Sequence, residues 1–238
     1  MTFSIAIRCP RTGMFGVAAA TSSPAVGSRC LFVRAGVGAV LSQHRTDPRL
    51  GPRGLDFLAA GLDAAATIEA LVASTPDAKW RQLAVVDRTG GVAFFHGSEH
   101  RPIFAAATGA GTVAIGNILA DASVCAAEIE AAERLSGEEI GERLLAALEA
   151  GLAAGGEVFP LRSAALAIAD RLPFPLADLR VDDDPAPIAA LRRLWESWRP
   201  QMATFTSRAE DPDAGGRATD SLEILAARRS SPRADPAG

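Results

Sequence analysis

The chain has 238 residues, 48% of them hydrophobic, and a net charge of −4, which suits one globular domain with a buried core. Mild acidity supplies no basic footprint, so neither nucleic acid nor a membrane surface is expected as a partner. Cys9, Cys30 and Cys125 form no CxxC or Cys/His pattern, which argues against a disulfide framework and a structural zinc site.

Residues 3–8 alternate and end at Cys9-Pro10, and Arg11-Thr12-Gly13 supplies turn residues. With the apolar run at 15–20, they predict an opening hairpin. The small-residue stretch TSSPAVGSRC leads to a strand at Leu31–Arg34, and GVGAVLS at 36–42 predicts another. From Gly54 the period lengthens. Leu55, Leu58, Leu62, Ile68, Leu71 and Val72 predict one or two amphipathic helices interrupted near Gly61. Gln82–Asp87 and Val92–His96 flank Arg88-Thr89-Gly90-Gly91, a second hairpin. A short strand at 112–115 runs into Gly116-Asn117.

Residues 121–134 and 137–152 predict two long helices, the second opened by a Ser136-x-x-Glu139 capping box and stopped by Gly155-Gly156. Residues 163–170 read as a buried strand, 179–181 as an edge strand and Pro187–Trp198 as a last helix. A domain over 1–198 is expected, then a tail over 199–238, charged and rich in small residues, expected to be largely disordered with a short helix at 222–228. Hairpins dominate, so the class is α+β: helices covering two packed, largely antiparallel sheets.

Thr2 is the first candidate for chemistry. Removal of Met1 would put a hydroxyl and a free α-amino group on one residue at the head of a strand. An α-amine titrates near pH 7.7–8.0, at about the right place to take a hydroxyl proton, and the Thr/N-terminal-amine pair is a recognised activated nucleophile. The plain alternative is an idle chain start. The chain contains no GxSxG, Walker A or strand-borne GxGxxG motif.

The segments MTFSIAIRCPRTGMFGVAAATSSPAVG and AGVGAVLSQHRTDPRLGPRGLDFLAAG, with RQLAVVDRTGGVA, GNILA, LLAALEAGLAAGGE, RSAAL and DLRVDDDPAPIAALRRL, resemble a bacterial family catalogued as domain of unknown function 1028, an N-terminal-nucleophile-hydrolase-like group. The resemblance runs in order over about residues 2–198. It implies a four-layer αββα fold, Thr2 as nucleophile and hydrolysis of a small amide or related C–N bond without a cofactor or metal. Cys9, Ser23-Pro24, Asp47, Leu50 and Asp184 depart from the family pattern.

Around that nucleophile, Asn117 is expected either to supply an oxyanion donor or to cap the helix near Asp121, with Gly116 allowing close backbone approach. Ser22 and Ser23 either orient the α-amine or only form a turn. Arg34 either lowers the amine pKa or is a surface charge, and cannot be a base. Gln43 and His44 would line a pocket mouth, and Arg162 would read a substrate carboxylate or mark a strand start. Two rivals stand beside this reading: a non-catalytic binding protein that keeps the fold, and a metal-dependent hydrolase built on His96-x-x-Glu99-His100. A small-molecule substrate, a homodimer and, from the lack of a signal segment or spanning apolar run, a cytoplasmic location are expected.

Overall fold

The structure, a computed structural model, describes residues 1–213. The chain divides into Met1–Trp198 and a second unit starting at Arg199. The first unit holds two antiparallel sheets. One has six strands: β1 (Thr2–Arg8), β2 (Phe15–Thr21), β7 (Phe104–Gly109), β8 (Thr112–Asn117), β9 (Ser163–Ala169) and β10 (Ala177–Val181), in the order β10-β9-β2-β1-β8-β7. The other contains β3 (Leu31–Arg34), β4 (Gly38–Gln43), β5 (Gln82–Asp87) and β6 (Val92–His96), in that order. The fold is therefore mixed α+β with antiparallel sheets, as the hairpin-rich pattern predicts.

Alternate residues of the strands build the core. Ala6, Phe15, Val17, Val113 and Ile115 of the larger sheet meet Ala39, Leu41, Ala84 and Val86 of the smaller one in one buried cluster. The opposite face of the smaller sheet, with Val40, Leu83 and Val85, packs on Leu50, Leu55, Leu58, Ile68 and Leu71. Those leucines and the isoleucine come from α1 (Leu50–Ala59) and α2 (Ala64–Ala73). On the larger sheet lie α3 (Val124–Arg134), α4 (Ile140–Ala153) and α5 (Pro187–Trp198). Gly141 lets α5 come close, since a Cβ there would sit 2.3 Å from the Trp195 ring.

The elements differ from expectation in three places. β7 is unpredicted. It is an alanine-rich edge strand with an exposed Phe104, and neither residue type nor alternation marks such a segment as β. The capping box does not form: α4 starts at Ile140, and Ser136 instead closes the turn after α3, its N–H on the Glu133 carbonyl at 2.9 Å. Within the expected tail, α6 spans Met202–Glu210; the helix expected at 222–228 lies outside the described residues.

Glu128 of α3 is fully buried, and both of its carboxyl oxygens lack a hydrogen-bond partner among the described residues. Burial pushes its pKa well up. The folded state thus holds a proton that the unfolded chain releases near pH 4.3, so this group's contribution to stability is full below that pH and is lost as pH rises through the raised folded pKa. Glu128→Met, near-isosteric and apolar, is expected to raise stability at pH 7 by about 1–3 kcal/mol and to flatten the pH dependence. Denaturant melts at pH 4.5 and 7.5 check this, and an unchanged or lower midpoint at pH 7.5 would count against it.

Candidate active site

At one end of the sheet-sheet interface the inward-facing residues change from apolar to polar. Along β1 the inward positions read Ala6, Ser4, Thr2; along β8 Val113, Ile115, Asn117; along β4 Ala39, Leu41, Gln43; along β5 Val86, Ala84, Gln82. In the larger sheet Thr2 and Phe104 both pair with Asn117, and in the smaller one Gln82 pairs with Gln43 and His96. Two short polar rows therefore face each other across the sandwich.

A directional network ties the rows together. Ser4 Oγ donates to Gln43 Oε1 at 2.8 Å, and Gln43 Nε2 donates to Gln82 Oε1 at 2.7 Å and to the Ile115 carbonyl at 3.2 Å. Asn117 Nδ2 also donates to Gln82 Oε1, at 2.8 Å. Gln82 Nε2 then donates to the Gly116 carbonyl at 2.8 Å and faces His96 Nδ1 at 2.9 Å. Because both Gln82 amide hydrogens and its oxygen are committed, His96 Nδ1 must accept and its Nε2 carries the proton. Neutral buried carboxamides need such partners, which is why this polar row survives inside an interface.

Thr2 is 5% exposed and opens β1. Its hydroxyl and that of Thr21 lie 3.4 Å apart, and both donate to the Met1 carbonyl. The chain-start amine is pushed below its ordinary value by burial, against the attraction of Glu157. Glu157, following α4, is pushed up by burial; Oε1 accepts from the Ser22 N–H at 3.0 Å, while its buried Oε2 has no partner among the described residues. This amine belongs to Met1, and its lowered pKa favours the neutral form at the chain start. Glu157→Gln removes the attraction and is expected to lower the amine pKa further. The pH profile of N-terminal labelling with an anhydride reads this directly; an unchanged or raised pKa would argue against the pairing.

Backbone strain gathers around the same end. Among the described residues, four that are not glycine have positive φ: Ala25 (56°), His44 (54°), Arg45 (46°) and Ile118 (54°). All follow within four residues of the ends of β2, β4 or β8. A β-branched residue such as Ile118 adopts this conformation only under tertiary constraint, and such outliers concentrate at functional sites. The chain's three histidines meet here too: the His44 and His100 rings are 4.3 Å apart and His96 and His100 5.5 Å.

The structure brings together Thr2, Asn117, Gly116, Gln43, Ser22, Ser23 and His44. Ser23 N–H approaches Thr21 Oγ1 at 3.4 Å, and the Ser23 carbonyl accepts from Ser163 at 2.6 Å. Asn117 caps no helix, because α3 starts at Val124 with Ser123 at its N-cap. Two expectations are overturned. Arg34 pairs with Gly38, at the far end of β4 from Gln43, and binds Asp56 at 2.9 Å. Five strand residues, about 17 Å at ~3.3 Å each, separate it from the polar row, so it does not orient the amine. Arg162 is bound through two nitrogens to Asp183, at 2.9 and 2.6 Å; its fork is already occupied. Sequence reasoning missed Thr21, Gln82 and Glu157. Gln82 carried a signal, as a polar residue heading the apolar run of residues 83–86; Glu157, in a loop after Gly155-Gly156, carried none.

His96 and His100 meet, but His96 Nδ1 is taken by Gln82. Among the described residues no group of three His, Cys, Asp or Glu side chains is arranged to hold a metal ion. Among these residues, too, no helix is long and apolar enough to cross a membrane.

A family model, described as a family of unknown function (DUF1028), matches residues 2–191. The chain belongs to the DUF1028 family. Protein SPO2555 from Silicibacter pomeroyi, a crystal structure of the DUF1028 family, is 36% identical, with a TM-score of 0.76 over 82% of this chain and 88% of that one. Among solved structures, the Anbu (Gly-1) mutant from Hyphomicrobium sp. strain MC1 is 13% identical over 84% of this chain and 96% of its own, at a TM-score of 0.43. Anbu (ancestral beta-subunit) from Yersinia bercovieri is 9% identical over 99% of this chain and 100% of its own, at 0.39. Likenesses at that level carry no weight for the DUF1028 site. No curated protein matches the chain.

Proposed function

We propose that this DUF1028 protein is a hydrolase of the N-terminal nucleophile type with an αββα layering, in which loss of Met1 exposes Thr2. The observation that carries the reading is the convergence of the Thr2 and Thr21 hydroxyls on the Met1 carbonyl, beside Glu157. On this reading a substrate carbonyl would take up the place beside both hydroxyls that the Met1 carbonyl leaves.

In that state the Thr2 amine takes the Thr2 hydroxyl proton as Oγ attacks the amide carbon of a small substrate. The amine then delivers the proton to the departing nitrogen, leaving an ester on Oγ. Water, deprotonated by the same amine, cleaves that ester and restores Thr2. Thr21 Oγ fixes the Thr2 hydroxyl, and Glu157 holds the amine. Asn117 has one Nδ2 hydrogen committed to Gln82; the other is assigned to the developing oxyanion. No step calls on a cofactor.

Intact mass of the purified protein tests the reading first. A mass without Met1 supports a usable nucleophile and opens a screen of small amides. A mass with Met1 retained, from a host with normal trimming, would keep the acyl group in the cleft and turn the same polar end into a binding site without catalysis.

A further inference from the structure

The histidine cluster beside Thr2 carries unsatisfied hydrogen-bonding groups of both signs. His100 is 9% exposed, yet neither ring nitrogen has a partner among the described residues. Asn117 is fully buried, and its Oδ1 is likewise unpartnered. His96 presents Nε2–H, because Gln82 occupies its Nδ1. His44 is set the opposite way: Nδ1 donates to the Trp80 carbonyl at 2.9 Å, leaving Nε2 as an acceptor. The groups are contiguous. Phe104, the strand partner of Asn117, has its ring 5.2 Å from His96 and 5.3 Å from His100, and Phe94 lies 5.3 Å from His96.

A buried polar atom left without a partner is unfavourable, and His100 Nδ1, His100 Nε2 and Asn117 Oδ1 are three such atoms among the described residues. What would satisfy them is a group offering N–H and C=O side by side, flat enough to lie against Phe94 and Phe104. A carboxylate offers only acceptors, and an ammonium only donors. The three imidazoles are neutral at pH 7, since burial holds each below the ordinary histidine value, His100 at about 4. The chain-start amine, Arg45 and Arg101 all bear on His44 and lower its pKa further.

We propose that His96, His100 and Asn117 form a recognition subsite for a planar, uncharged amide-type group, so that the substrate held at Thr2 carries a carboxamide or ureido function. This deepens the hydrolase reading and rests on it for the word substrate, but the binding can be measured without turnover.

Because the chain has three histidines in all, a long-range ¹H–¹⁵N spectrum of the full-length protein contains only three imidazoles. Propionamide and N-methylurea are titrated against sodium propionate and propylammonium at pH 7.5. The expected result is an Nε2–H tautomer for free His96, with saturable shifts of His96 and His100 by the two amide probes at concentrations at least tenfold below those needed with the acid or amine. Thr2→Val should keep those shifts, whereas Asn117→Leu should weaken them at least tenfold. Absence of saturable shifts from both amide probes, or propionate binding as well as they do, overturns the proposal; the wild-type spectrum decides this even if a variant misfolds. The two readings can fail separately. Amide shifts with an unreactive Thr2 sink the hydrolase and keep the subsite, and an acylated Thr2 without amide shifts does the reverse.

Discussion

Thr2→Val is expected to reduce acyl transfer on the order of 10⁴–10⁶-fold, the range seen when a nucleophile or its partner is removed from a hydrolase, with little change in stability. Valine keeps the β-branched shape that suits the first residue of a central strand and remains small enough for Met1 trimming. It deletes only the hydroxyl, whose neighbours are the Met1 carbonyl and Thr21 Oγ1. Losing one such partner changes stability by about 1 kcal/mol. Thr2→Ser, which retains the hydroxyl and the amine, is expected to keep activity within an order of magnitude or two of wild type. Before a substrate is known, a β-lactone serves as acyl donor: the wild-type mass should rise by one adduct and the Thr2→Val mass should not. Equal labelling of both proteins would remove Thr2 from the mechanism, and normal turnover by Thr2→Val with any amide found in the screen would do the same.

The second large effect falls on stability. Gln82→Leu is expected to destabilise the fold by about 3–6 kcal/mol, since the leucine leaves Asn117 Nδ2, the Gly116 carbonyl and His96 Nδ1 without their partner, at about 1–2 kcal/mol for each buried orphan once the leucine's own burial is set against the loss. Gln43 Nε2 keeps its bond to the Ile115 carbonyl, so it does not join the sum. For a domain of this size that corresponds to a Tm lower by roughly 6–24 °C, at about 2–4 °C per kcal/mol. Urea melts of the two proteins give the value. A difference below about 1 kcal/mol would mean that water replaces glutamine freely, and the row would then be a wet surface rather than a framework that sets the histidine tautomer.

The two overturned positions have different causes. Arg34 and Arg162 were attractive because each stands beside a strand close in sequence to the candidate site. A strand carries a residue toward or away from a site by about 3.3 Å per position, and the hairpin from β3 to β4 reverses direction. Arg34 therefore ends at the wrong edge, against Asp56. Arg162 is close in space, its N–H bonded to the Thr21 carbonyl at 2.8 Å, but Asp183 claims its guanidinium.

The amino-acid sequence alone determined the α+β class, most strand and helix positions, the family and the candidacy of Thr2. These depend on local alternation, helical spacing, turn residues and short motifs, all readable within a dozen residues. Tertiary structure alone decided which polar residues face Thr2. Thr21, Gln82 and Glu157 come from three separate places in the chain: antiparallel pairing brings the end of β2 beside Thr2, Gln82 reaches Asn117 from the facing sheet, and Glu157 is brought in by its bridge to Leu119, just beyond β8. The same packing chose the His96 tautomer, through a carboxamide committed at 35 residues' separation to Asn117. Register and the facing of two sheets are long-range properties: one residue of slip would turn every one of these side chains out of the interface.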